Sequence, residues 1–93
     1  MRTLFIAAGP TWWASSRIRA YWPAEYMEDA TVVQVGDNPQ GLDGYDVFVF
    51  QKVFDPGLAR GAREAGKRVY WDICDPAWWF HPNEVGNILR LLD

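Results

Sequence analysis

A chain of 93 residues has room for one domain, whose single core buries about two thirds of the surface the unfolded form exposes. An apolar fraction of 49% beside 23% charged residues excludes disordered, collagen-like and coiled-coil chains. The net charge of −3 comes without a basic block, so the footprint of a protein that grips a nucleic-acid backbone is missing.

The first run, TLFIAA from Thr3 to Ala8, is continuously apolar, as a strand buried on both faces should be. It is too short for a signal h-region or a membrane span. Gly9-Pro10 turns the chain. From Ala14 to Met27, Ile18, Tyr21, Trp22 and Met27 recur at roughly helical spacing, with Ser15 or Ser16 as the cap. Pro23 inside that pattern predicts a kink or two short helices. A second strand, TVVQV from Thr31 to Val35, stops at the turn cluster GDNPQG.

The third strand, DVFVFQ from Asp46 to Gln51, is rich in β-branched and aromatic residues and belongs in the middle of a sheet. A well-marked helix follows, with Asp55 as N-cap, Pro56 in the first turn, Leu58, Ala59, Ala62 and Ala65 on one face, and Gly66 as the stop. KRVYWDI, Lys67 to Ile73, is a fourth strand. After the loop, Val85, Ile88, Leu89 and Leu92 form the apolar stripe of a last helix over Glu84 to Leu92. The alternation predicts a single α/β domain over residues 1–93, with a parallel sheet of about four strands and helices on both faces. The connections are too long for hairpins and suit crossovers.

Ligands of open parallel sheets bind beyond the carboxyl ends of the strands. Three loops emerge there, GPTWWASSR, QKVFDP and DICDPAWWFHP, and they concentrate the polar and aromatic residues. Ser16, Arg17 and Arg19 at a helix start offer donors to a phosphate or carboxylate, or else cap the helix and sit in solvent. Arginines two apart lie far apart around a helix, so at most one points into a cleft. Gly9 alone in the first turn rules out a Walker loop or dinucleotide fingerprint. Trp12, Trp13, Trp78 and Trp79 either stack on sugar or base faces, or fill the core beneath their loops.

Asp72 and Asp75 read as a general acid/base pair or half of a metal site, or as a loop-amide acceptor and a turn starter. His81 is a candidate base or a turn residue before Pro82. Lys52 reaches an anion or is solvated. The one cysteine, Cys74, makes no internal disulfide and has no second cysteine to share a metal. No metal site or cofactor is therefore expected, and the chain suits a reducing cytoplasm.

SSRIRAYWPAEYM, YDVFVFQKVFDPGLARGAREAGKRVYWDICDPAWW and FHPNEV, taken in order, resemble the amino-terminal domain of group 1 glycosyltransferases of two-domain GT-B architecture. The resemblance implies a three-layer Rossmann-like domain of flavodoxin-like order that holds the acceptor against a second domain carrying a nucleotide sugar. By motif position, Ser16, Arg17 and Arg19 match the helix start, Gln51 and Lys52 the end of the buried strand, and Asp72 and Asp75 the acidic strand end. His81 falls where such domains place a cleft histidine.

The substrate-binding candidates are thus Trp12, Trp13, Ser16, Arg17, Arg19, Gln51, Lys52, Asp75, Trp78 and Trp79, with His81 and Asp72 as catalytic candidates. The donor half has no counterpart in these residues, so the expectation is an acceptor-side domain without activity of its own. The alternative is a non-catalytic module that self-associates through its tryptophan-rich edge. A standalone phosphate binder using Ser16 and Arg17 is a third reading.

Overall fold

The computed structural model describes residues 1–37, 42–52, 54–72 and 82–92. Four strands form one sheet: β1 (Thr3–Ala7), β2 (Ala30–Gln34), β3 (Val47–Gln51) and β4 (Arg68–Asp72). Every pairing is parallel and the order is β2-β1-β3-β4. The fold is the expected α/β sheet of Rossmann-like type, with the two apolar runs β1 and β3 at its centre. Leu4, Ile6, Phe48 and Phe50 there are almost wholly buried.

Alternating side chains build a core on each face. On one face Leu4, Ile6, Phe48 and Phe50 pack with Tyr45, Ala59 and Ala62, and Val69, Trp71 and Leu91 lean against them. This face is covered by α3 (Pro56–Glu64) and α4 (Pro82–Leu92), joined where Arg63 Nη1 donates to the Leu92 carbonyl at 2.7 Å. On the other face Phe5 and Ala7 pack with Ala20 and Ala24. Here the cover is one contiguous helical stretch: α1 (Ala14–Ser16), a π-helical piece (Arg17–Tyr21) and α2 (Trp22–Glu25).

That stretch departs from expectation twice. The break expected at Pro23 takes the form of a change in helix type, because the wide π turn just before the proline makes room for a ring with no N–H to donate. The inner face is also not the large apolar set: Ile18 and Trp22 are about half exposed, and Ser16, Ala20 and Ala24 face the sheet. Spaced four apart, these small residues let the helix lie close on Phe5 and Ala7. A similar shift marks α4, where Leu89 is 49% exposed and Leu91 packs inward in its place.

The well-marked helix forms as its signals specify. Asp55 caps α3 by accepting from the Leu58 N–H at 3.1 Å, Pro56 sits in the first turn, and Gly66 follows the end at φ +80°. Among the described residues no helix is long and apolar enough to cross a membrane.

Candidate functional site

Strand order places a crevice. The chain moves from β1 outward to β2, then returns to the other side of β1 for β3, so the connections leave in opposite directions above the carboxyl ends of β1 and β3. The residues at those ends are Ala8-Gly9 and Gln51-Lys52.

A buried hydrogen-bond network ties the two ends together. Gln51 Oε1 accepts from the Ala8 N–H at 2.9 Å and from the Ser16 hydroxyl at 3.1 Å. Ser16 Oγ in turn accepts from the Gly9 N–H at 3.1 Å, and the Tyr21 hydroxyl donates to the Gly9 carbonyl at 3.1 Å. Ser16 and Gln51 are both fully buried. They therefore form the floor that fixes the first loop, a placement different from the anion-facing one anticipated for Ser16. The serine does not cap the helix, whose N-cap is Trp13, because the helix starts early enough to turn Ser16 onto the sheet edge.

Upon that floor stands the first tryptophan pair. A Cβ added at Gly9 would meet the Trp13 ring at 2.2 Å, so the indole lies directly on the bare glycine backbone. Trp12 meets Trp13 edge-on, with ring centroids 5.9 Å apart, and stands 74% exposed. The tryptophans are a shelf at the crevice mouth rather than core filling. The glycine in the first turn thus serves close approach of a ring, a role that no sequence motif marks.

Of the two arginines, Arg19 reaches the strand ends: its Nη1 lies 3.9 Å from Asp72 Oδ2. Arg17 instead lies over the Trp22 ring, 5.5 Å from its centroid, with its Nε buried and lacking a hydrogen-bond partner. Lys52 stands at φ +68°, an uncommon conformation for a side chain of this size. Its N–H donates to the Asp72 carbonyl at 2.8 Å and its carbonyl accepts from Trp71 Nε1 at 3.1 Å, which together hold the strained turn.

Trp12, Trp13, Ser16, Arg19, Gln51, Lys52 and Asp72 are thus brought to one edge of the sheet. Cys74, Asp75, Trp78, Trp79 and His81 lie outside the described residues. Burial, and the charge of Asp37 after it, raise the pKa of Tyr21, so the phenol beside Gly9 stays protonated above its ordinary range. Among the described residues no three of His, Cys, Asp and Glu gather closely enough to hold a metal ion. Chemically the edge offers a flat aromatic surface, a guanidinium with its carboxylate and an exposed ammonium, a set suited to holding a polyhydroxylated molecule. No family model, characterised protein or solved structure matches this chain.

Proposed function

We propose that the chain is the acceptor-side half of a sugar-transfer site, holding a sugar or glycan for a second domain that carries a nucleotide sugar. The observation that carries the reading is the Trp12-Trp13 shelf seated on Gly9 at the point where the strand connections diverge. Indole faces stack on the C–H faces of sugars, and Arg19, Asp72 and Lys52 stand at the same edge to bond hydroxyls. A transfer site must also orient two reactants and shut out water, which one open edge does not do. Alone, the chain binds acceptor and transfers nothing.

Titration of a saccharide panel into the isotopically labelled protein, followed by amide and indole N–H shifts, tests this. Shifts should cluster on Gly9, Trp12, Trp13 and Lys52, and weaken in Trp12→Ala and in Gly9→Ala, whose methyl displaces the Trp13 ring. A panel that moves none of these signals overturns sugar binding. Sugar transfer by the purified chain alone overturns the half-site reading.

The exposed Trp12 also favours a second reading, a binding module whose tryptophan edge docks a partner. In that case the saccharides leave the signals unmoved and the indoles respond to protein concentration.

A further inference from the structure

Among the described residues β4 is an edge of the sheet, and its five residues, RVYWD, read as their own complement when reversed. We propose that β4 is a self-association surface, pairing antiparallel with β4 of a second copy about a two-fold axis through Tyr70 to continue the sheet from one copy into the other. The pairing needs no bound sugar, and Asp72 is common to this edge and to the proposed sugar site.

The direction of the backbone groups fixes the register. The Arg68 N–H donates to the Asp46 carbonyl and the Asp72 carbonyl accepts from the Lys52 N–H, so Arg68, Tyr70 and Asp72 spend their backbone groups on the β3 side. Alternation along a strand then turns the N–H and C=O of Val69 and Trp71 outward. A two-fold axis at Tyr70 sets Val69 of one copy opposite Trp71 of the other, twice, and each such pair exchanges two hydrogen bonds. Tyr70 faces its own mate across the axis in a close pair without hydrogen bonds.

Charge agrees with this register. Arg68 of one copy stands opposite Asp72 of the other, again twice, in pairs whose side chains approach closely. The two residues share a face of the sheet with Tyr70, while Val69 and Trp71 lean on the opposite core. Arg68 is exposed and Tyr70 is 52% exposed, so the face is accessible to a second copy. Any other register, or a parallel pairing, sets Arg68 beside Arg68 or leaves the charges unmatched. A two-fold edge pairing also closes at two copies and does not propagate along β4.

The interface is small, so the dimer is weak and forms in the upper micromolar range and above, on the order of a 1 mM ceiling. Light scattering and sedimentation across that range should show the mass rising toward two copies. The Val69 and Trp71 amides should gain protection from exchange as concentration rises, with Tyr70 unchanged. Arg68→Asp should raise the dissociation constant about tenfold or more, and Arg68→Asp with Asp72→Arg should restore it, because opposite charges again face each other. Tyr70→Lys sets two ammonium groups together on the axis and should abolish the dimer, with the circular dichroism of the monomer unchanged. A chain that stays monomeric over the whole range overturns the proposal. So does a dimer that survives Tyr70→Lys and is lost in Trp12→Ala, which assigns association to the tryptophan edge.

Discussion

Gln51 shows how one side chain can hold a site it does not line. Its amide oxygen binds a backbone N–H from the first loop and a hydroxyl from the first helix, joining residues 43 and 35 positions away. Ser16 is the hinge of this network, since it donates to Gln51 while accepting from Gly9. Replacing it with alanine removes both bonds and leaves the Gly9 N–H buried beneath the Trp13 ring without an acceptor. An orphaned buried donor costs about 1–3 kcal/mol, more than the bond it made contributes net. Ser16→Ala should therefore lower the unfolding free energy by about that amount in a denaturant titration. It should also raise quencher access to Trp13, because the loop under the ring loosens. A variant as stable as the parent, with its tryptophan emission unchanged, would contradict the network.

At the scale of elements, α3 follows its sequence signals at both ends and buries Ala59 and Ala62 as expected, while Ala65, expected on the same face, is the exposed C-cap. A nine-residue helix cannot stand on propensity alone, so its ends matter. Asp55→Ala leaves the Leu58 N–H without its cap and should cost about 1 kcal/mol, whereas Asp55→Asn should recover most of it. Thermal melts of the two variants check this, and equal losses would show that charge rather than the cap bond matters. Such local signals made α3 and all four strands legible, because capping residues and apolar runs act within a few positions. The first helix was misread for a related reason. Its large residues, Ile18 and Trp22, suggest an inner face, but close packing on Phe5 and Ala7 selects Ser16, Ala20 and Ala24. The π turn then alters the spacing on which periodicity depends. In the site, loop position alone places Trp12 and Trp13, whereas the choice of Arg19 over Arg17 depends on the fold. The Gly9-Trp13 stack, the Ser16-Gln51 floor and the positive φ of Lys52 arise from contacts between distant residues or from tertiary constraint, and no short motif carries them.

For the whole molecule, stability depends on pH through groups that the fold treats differently from water. Tyr21 is one: burial first, and Asp37 second, hold its phenol protonated above the ordinary value near 10. Below about pH 10 the folded and unfolded chains both keep the proton, and the contribution of Tyr21 is intact. As pH rises past that point the unfolded chain ionises first and is stabilised by doing so, while the folded phenol resists. Stability therefore falls from about pH 10 upward until the raised folded pKa is passed. Ionisation also removes the proton that the Tyr21 hydroxyl donates to the Gly9 carbonyl, so the loss reaches the tryptophan shelf. Tyr21→Phe should be less stable than the parent at neutral pH by about 0.5–1.5 kcal/mol, the net value of a hydrogen bond. Its decline in alkali should be shallower, because nothing at that position ionises. Denaturant midpoints for the two proteins between about pH 8 and 11 should accordingly converge. Every other group is common to both chains and cancels in the difference. Parallel curves would mean that Tyr21 ionises alike in the folded and unfolded states, and its burial beside Gly9 would then carry no protonic linkage.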